Sequence, residues 1–172
     1  MESTKPSEPY QYTFTGGETN SYFFTTQTSV IYEIKFVPST DYFKGYEALE
    51  VEVFEMVIAV ADNPNGDRLP ADARTAPTLF AIFHHFFLPR SYALIFICDS
   101  SDGRERARFR KFGMWFEHES MLDSNRDLDI AKFDQRFADG DDLILVSLIV
   151  SRRHPQQKLI KAIFIDLAEG AK

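Results

Sequence analysis

The stretch Ala93–Phe116, ALIFICDSSDGRERARFRKFGMWF, organises the rest of the sequence. The apolar segment Tyr92–Cys98, which begins one residue before this stretch, is bounded by polar residues and predicts a short buried strand. Asp102 and Glu105 then stand in the D-x-x-E spacing of a capping box, which predicts a helix that begins near Gly103. We therefore expect a strand, a polar turn and a helix in direct succession.

The predicted helix has an apolar face and an unusual number of cations. Phenylalanines recur at helical spacing at 109, 112 and 116, and Trp115 flanks them. The first two turns carry five cations: Arg104, Arg106, Arg108, Arg110 and Lys111. Like charges at i,i+4 cost a few tenths of a kcal/mol each, and the helix dipole also disfavours cations near this end. A local rule that is broken without a local gain often marks a functional site.

The turn and the cations together predict an anion site, in which backbone N–H groups and arginines hold a phosphate or carboxylate. The candidate ligand-binding residues are Asp99, Ser100, Ser101, Asp102, Gly103, Arg104, Arg106, Arg108, Arg110, Lys111 and Trp115. The alternative uses segment 117–142, which contains nine acids against three bases. If that segment folds back along the helix, the charges compensate one another on a solvated face, as charge runs usually do.

The same turn offers an enzymatic interpretation. Asp99 and Asp102 could hold a divalent cation, and Cys98 could be a nucleophile activated by the helix N-terminus and nearby arginines. Against this, Asp102 is explained as a cap, and Cys98 lies in an apolar strand, where free cysteine behaves as a small hydrophobe. The sequence contains no HExxH, CxxC, Gly-rich phosphate loop or GxSxG motif, so we predict no metal site and no cofactor.

The remaining chain alternates strands and helices. Segment 10–37 reads as a three-strand meander, and segment 50–60 as a strand that passes from the sheet margin to a doubly covered centre. Thr75 predicts the N-cap of a helix with an apolar stripe that ends at Pro89. Segments 128–138 and 142–151 predict a hairpin joined through Asp-Gly-Asp.

A last helix follows Pro155, which is tolerated in the first turn. Its predicted core stripe is Leu159, Ile163 and Leu167, and Gly170 ends it. The predicted order is β-β-β-β-α-β-α-β-β-α, which is typical of an α+β fold. We expect one domain over 10–170, a mostly antiparallel sheet of about six or seven strands covered by three helices, and a flexible tail at 1–9.

Composition limits the possible functions. The chain has 172 residues, 44% of them hydrophobic, and a net charge of -7, which argues against general nucleic-acid binding. One cysteine, Cys98, suggests a reducing compartment. No apolar run approaches the roughly 20 residues that span a bilayer, and the start lacks the pattern of a secretory signal. The expected setting is the cytoplasm, away from membranes.

The motifs also resemble a known pattern, a turn SDGR followed by a basic, aromatic helix that ends in Trp-Phe. The matching residues are Ser101-Asp102-Gly103-Arg104, Arg108, Arg110-Lys111-Phe112 and Trp115-Phe116, with YTFTGG, SYFF, SVIYEIKF and VADNPNG earlier. Over roughly 10–167 the chain resembles a bacterial family known only as domain of unknown function 6169. The resemblance implies an acidic residue where this chain has Gly113, so a possible partner for the cations is missing. It implies no activity, substrate or cofactor.

These observations favour a small binding or interaction domain that engages an anionic ligand or partner group through segment 99–111. One alternative is a metal-assisted enzyme acting on a phosphate-bearing substrate, with Asp99 and Asp102 as metal ligands and arginines neutralising charge. A further alternative is a structural subunit that forms a homo-oligomer through an exposed strand edge or the face of His84 and His85.

Overall fold

The computed structural model describes residues 7–39, 41–98 and 100–170. The strands are β1 (Tyr12–Gly16), β2 (Ser21–Thr25), β3 (Ile31–Pro38), β4 (Glu52–Asp62), β5 (Tyr92–Ile97), β6 (Ile130–Asp139) and β7 (Asp142–Ser151). The helices are α1 (Thr75–Phe86), α2 (Glu105–Ser120) and α3 (Gln157–Gly170), with short 3-10 helices at Asp41–Phe43 and Asp123–Leu128. The predicted order of strands and helices is confirmed.

All seven strands form one sheet, in the order β1-β2-β3-β4-β5-β7-β6. Neighbouring strands are antiparallel except β4 and β5, which are parallel. Parallel neighbours need a crossover connection, and α1 supplies it between β4 and β5. The fold is therefore α+β with a mostly antiparallel sheet in a single domain, as predicted.

Helices cover both faces of the sheet. Side chains alternate along β5, so that Leu94 and Phe96 join the core under α1 and α2, whereas Ala93 and Ile95 join the core under α3. The first core is rich in phenylalanine and includes Phe36, Phe80, Phe83, Phe86, Phe112 and Phe116. Burial on both faces accounts for the nearly continuous apolar sequence of β5 and β7.

The predicted core stripe of α3 is wrong by one residue at its start. Leu159 is 44% exposed, whereas Ile160, Ile163, Phe164 and Ala168 are buried. The buried set follows the i, i+3, i+4, i+8 spacing of one helix face, and neighbouring residues lie about 100° apart around the axis. Ile160 and Phe164 place more apolar surface on that face than Leu159 does, and the helix is turned accordingly.

The predicted course of β4 is reversed. Its first half is buried, with Phe54 7% and Met56 1% exposed, whereas Val60 is 41% exposed. The reason is the length of β5, which pairs with β4 only from Glu52 to Met56. Beyond that point β4 pairs with β3 alone, so its apolar second half lies near the margin of the sheet rather than at its centre.

The predicted hairpin is confirmed and its turn is shorter than the Asp-Gly-Asp motif suggests. Asp139 pairs with Asp142, so only Gly140 and Asp141 form the loop. Gly140 has φ of +62°, a value that two-residue hairpin turns require at their first position and that glycine adopts without strain. The glycine thereby fixes the register of β6 against β7.

The segment before β1 is attached to the start of α1. The Arg74 guanidinium donates hydrogen bonds to the carbonyl oxygens of Glu8 and Pro9 at 2.7 and 3.0 Å, and it lies 4.0 Å from the centre of the Tyr10 ring. The Tyr10 backbone N–H donates to Thr78 Oγ1 at 2.8 Å. Residues 1–6 of the predicted flexible tail lie outside the described residues.

Candidate functional site

The turn that joins β5 to α2 does not form the predicted capping box. Helix α2 begins at Glu105, and Arg104 is the N-cap residue, without a hydrogen bond from its side chain. Asp102 lies two residues earlier, and its Oδ1 accepts the Arg104 backbone N–H at 3.1 Å. Gly103 separates them with φ of +69°, which lets the chain bend between the aspartate and the helix.

The same carboxylate holds Arg108 from the next turn of the helix. Arg108 donates from Nη1 to Asp102 Oδ1 at 2.8 Å and from Nη2 to Oδ2 at 2.6 Å. These charge-assisted bonds lower the pKa of Asp102 below its usual value. Because both oxygens bind Arg108, the geometry gives the metal-ligand interpretation of Asp102 no support.

Asp99, the other suggested metal ligand, lies outside the described residues. Within the part of the chain that the structure describes, no three His, Cys, Asp or Glu side chains gather closely enough to hold a metal ion.

Four cations of the run remain on the surface. We call Arg104, Arg106, Arg110 and Lys111 the basic face; all four side chains are exposed. Among the described residues, none of them forms an ion pair with a carboxylate of segment 117–142. The expected compensation by that acidic segment is therefore not observed.

Three acids of segment 117–142 pair with cations outside the basic face. Asp123 pairs with Arg126 at 2.8 Å, Asp129 pairs with Arg153 at 2.9 Å, and Asp134 pairs with Lys132 at 2.6 Å. Each of these partners lies in β6, after β7 or in the same short 3-10 helix. These three acids thus neutralise cations of neighbouring strands and loops rather than those of α2.

The basic face covers the solvent side of α2 and does not converge on one point. At 3.6 residues per turn, Arg104 and Arg106 lie about 160° apart around the axis. Lys111 places its Nζ 4.8 Å from the centre of the half-buried Trp115 ring, in a cation–π contact. Neither the cavity of about 290 Å³ nor that of about 170 Å³ is lined by a residue of the basic face. The arrangement suits an extended anionic surface better than a single small anion.

The buried side of α2 covers a polar group that sequence reasoning missed. Lys132 is only 8% exposed, and its Nζ donates to both oxygens of Asp134 at 2.6 and 2.7 Å. Ser147 is fully buried and donates from Oγ to Asp134 Oδ1 at 2.7 Å. The Lys132 ammonium also lies 5.4 Å from the centre of the Phe109 ring. One signal was available, since Ser147 is the single polar residue in the apolar run LILVSLIV.

Two further side chains near the start of α2 have a buried oxygen or sulfur atom, and one of them, Cys98, was the suggested nucleophile. Oε2 of Glu105 is buried and has no hydrogen-bond partner among the described residues. Cys98 is 2% exposed, and burial raises the pKa of its thiol to about 11, although Arg108 and Lys132 act in the opposite direction. A thiol in this state is protonated at neutral pH, which opposes its use as an activated nucleophile.

Comparison with known proteins identifies the family and goes no further. A family of unknown function, DUF6169, matches residues 71–166, which run from the loop before α1 into α3 and include the basic face. No curated protein and no solved structure matches the chain. Among the described helices, none is both long and apolar enough to cross a membrane. Since the match covers more than half of the sequence, this chain belongs to the DUF6169 family.

Proposed function

We propose that this protein is a binding domain that engages an acidic segment of a partner protein through the basic face of α2. The observation that carries the proposal is the set of four exposed cations without ion pairs among the described residues, on a chain whose net charge is -7. Each cation is available to an external anion, since no internal pair has to be broken first.

Energetics support this interpretation. Arg106 and Arg110 are a like-charge pair at i,i+4, which costs a helix about 0.2–0.5 kcal/mol. Exposed ion pairs with a partner contribute about 0.2–1 kcal/mol each. The summed free energy of several such pairs exceeds the cost of the like-charge repulsion within the helix. Because the cations are spread around the solvent side of α2, a flexible acidic chain can reach more of them than a compact phosphate can.

Trp115 and Lys111 support the same partner class. Lys111 is held over the Trp115 ring. The lysine side chain therefore loses less conformational entropy when a partner binds it. The ring itself is only half-buried, so it offers apolar surface beside the charges. Interfaces are enriched in such combinations of aromatic and cationic side chains. The proposed setting is the cytoplasm, in keeping with a single reduced cysteine.

The test measures binding of a fluorescein-labelled decaglutamate peptide by fluorescence anisotropy at low ionic strength. We expect the double variant Arg106→Ala/Arg110→Ala to bind about three- to tenfold more weakly, as two exposed ion pairs require. Its stability should not fall, because the substitution relieves like-charge repulsion.

The matched control removes two cations elsewhere. Arg68 and Arg90 are exposed, and the variant Arg68→Ala/Arg90→Ala changes the net charge by the same amount. We expect it to bind the peptide as the original chain does. Equal losses in both double variants would show that net charge alone governs binding and would overturn the proposal. Absence of peptide binding by the unaltered chain would overturn it as well.

A further inference from the structure

A cavity of about 290 Å³ lies where the end of α1 meets the sheet, and no residue of the basic face lines it. We call it the aromatic cavity, since six of its lining residues carry aromatic rings: Phe14, Tyr22, Phe54, His85, Phe86 and Tyr92. The rings come from β1, β2, β4, β5 and α1. Its volume is near the lower limit of about 300–1,000 Å³ for small-molecule sites.

The aromatic cavity has a buried floor and an exposed rim. Tyr22, Phe54 and Phe86 are 3%, 7% and 6% exposed, whereas Phe14 is 46% and Leu88 is 74% exposed. Large apolar side chains around a concave floor are typical of binding sites, in which burial of a ligand removes apolar surface from water. Phe14 is oriented by contacts with the Tyr22 and His85 rings, whose centres lie 4.6 and 5.4 Å away.

One polar group in this floor has no partner. Tyr22 is 3% exposed and lines the cavity, and its hydroxyl has no hydrogen-bond partner among the described residues. Unlike Glu105 Oε2 and His154 Nε2, this hydroxyl is not completely shielded from solvent. The neighbouring tyrosines differ, since the Tyr10 hydroxyl donates to Asp72 at 2.7 Å and the Tyr12 hydroxyl donates to the Ala81 carbonyl at 3.3 Å. Buried tyrosine hydroxyls normally find a partner. Burial raises the pKa of Tyr22 to about 12, so the group remains a neutral donor.

The charge of the surroundings selects against ions. None of the residues that line the cavity is Asp, Glu, Lys or Arg, and His85 is the one lining side chain that can carry a positive charge. A charged ligand would therefore lose hydration without gaining an ion pair while His85 is neutral. The cavity also adjoins the last turn of α1, where Phe86 ends the helix. The carbonyl end of a helix carries partial negative charge and repels anions. A neutral ligand fits these conditions.

We propose that the aromatic cavity binds a neutral small molecule with one aromatic ring and a hydrogen-bond acceptor, which receives the proton of the Tyr22 hydroxyl. The ring packs among the aromatic walls in offset or edge-to-face contacts. The acceptor takes the place of the water that the Tyr22 hydroxyl otherwise binds. This site is independent of the basic face and does not rest on the function proposed for it.

Benzamide is a suitable probe because it combines one neutral ring with a carbonyl acceptor. Saturation-transfer NMR on the full chain should show saturable binding of benzamide, and weaker binding of benzoate and of benzyltrimethylammonium. The variant Tyr22→Phe removes only the hydroxyl and should weaken benzamide about three- to tenfold. Toluene lacks an acceptor, and its binding should not weaken in the same variant. Thermal unfolding of Tyr22→Phe confirms that the variant is folded.

Four results would overturn the proposal. Three concern the ligand: absence of saturable benzamide binding, an unchanged affinity for benzamide in Tyr22→Phe, and tighter binding of benzoate or benzyltrimethylammonium than of benzamide. The fourth is a molecular mass in light scattering that rises with protein concentration in the unaltered chain and stays at the monomer value in Leu88→Asp. The last result would assign the exposed rim to contact between two copies of the chain.

Discussion

At the residue scale, Gly113 lies in the middle of α2, and the helix continues through it without interruption. A Cβ atom at this position would lie 3.8 Å from Lys132 Nζ. An acidic residue here, which the family resemblance implied, would therefore neighbour the buried lysine of β6, and it would also lie one helical turn after Arg110. The interpretation of Gly113 as a lost partner of those cations stays a prediction, and Lys132 is a further cation that an acid at this position could reach.

We predict that Gly113→Ala stabilises the protein by about 0.5–1 kcal/mol. Glycine loses more backbone entropy than alanine in a helix interior, and 3.8 Å is an ordinary van der Waals distance, so the added methyl group fits. Urea unfolding followed by circular dichroism measures the change. The control is Gly103→Ala, which should destabilise the protein because its φ is +69°. A loss of stability in Gly113→Ala would contradict the contact geometry.

Aspartates play a similar part at the starts of two helices. Asp72 Oδ1 accepts the Arg74 backbone N–H at 2.8 Å, and Asp102 Oδ1 accepts the Arg104 backbone N–H at 3.1 Å. In each case the arginine is the N-cap residue and the aspartate precedes it by two residues. Such local turns compete with helix capping for the same side chain. This competition explains why Asp102 does not cap α2. For α1 the predicted cap, Thr75, is the first residue of the helix, and the cap residue is Arg74.

At the element scale, α2 separates two different charge environments. Its outer side carries the exposed basic face. On its inner side, the Phe109 and Phe112 rings of α2 cover the buried Lys132 ammonium. A buried ammonium without a carboxylate is unfavourable, since the desolvation cost is then uncompensated. Asp134 supplies the carboxylate from the same strand, and Ser147 orients it from β7.

We predict that Asp134→Ala lowers the free energy of unfolding by about 1–2 kcal/mol, because Lys132 keeps its charge in a site that is 8% exposed. The figure is smaller than for a fully buried pair because Asp134 is itself 43% exposed. The variant Asp134→Ala/Lys132→Met should recover most of the loss, since the unpaired charge is removed with its partner. Chemical denaturation of the three proteins provides the measurement.

The matched control for this pair is Asp123→Ala. Asp123 and Arg126 form an ion pair whose side chains are 86% and 78% exposed, and exposed pairs contribute little. We expect a change below about 0.5 kcal/mol. If Asp134→Ala and Asp123→Ala had equal effects, the Lys132 pair would have no special role under α2.

At the scale of the whole molecule, His154 lies where the segment after β7 meets the approach to β4. It is 5% exposed, its Nδ1 accepts the Gln156 backbone N–H at 3.0 Å, and its Nε2 has no hydrogen-bond partner among the described residues. The Gln156 side chain extends this junction, accepting from the Glu50 backbone N–H at 2.7 Å and donating to the Ala48 carbonyl at 2.9 Å. Burial lowers the pKa of His154, and backbone groups of Ser91 and Glu50 oppose this only in part.

This lowered pKa predicts a pH-dependent stability. The unfolded chain binds a proton at His154 near the ordinary pKa of 6.5, whereas the folded chain resists it until lower pH. Unfolding is therefore coupled to proton uptake, and stability falls as the pH decreases from 7 through 6.5 toward the folded-state pKa. Above pH 7 this histidine contributes no slope. Urea unfolding between pH 5 and 8 measures the dependence.

The variant His154→Asn keeps an acceptor for the Gln156 N–H but cannot titrate, so its stability should depend less on pH between 5 and 7. The control makes the same substitution at the exposed His85, and the prediction requires that His85→Asn change the slope less than His154→Asn does. An identical slope in His154→Asn and the unaltered chain would show that other groups govern the pH response.

The sequence by itself determined the order of strands and helices, the α+β class, the β6–β7 hairpin and the apolar face of α2. These features depend on residues two to four positions apart, whose spacing follows from strand and helix geometry. The alternation in β6 and the Asp-Gly signal are examples. The sequence predicted the helix caps and the exact core stripes less accurately. Neighbouring residues such as Leu159 and Ile160 could both have faced the core, and tertiary packing selected between them.

Only the tertiary structure decided which charges meet. Segment 117–142 could have neutralised α2 by composition, but Asp129 pairs with Arg153, since the pairing of β6 with β7 brings the ends of these strands together. Asp134 pairs with Lys132, two residues away on the same face of β6. The basic face consequently stays exposed. Likewise, the Tyr22 hydroxyl and the rings of the aromatic cavity come from five separate elements. Contacts between residues far apart in sequence depend on how the sheet and helices pack, and local patterns carry no information about that packing.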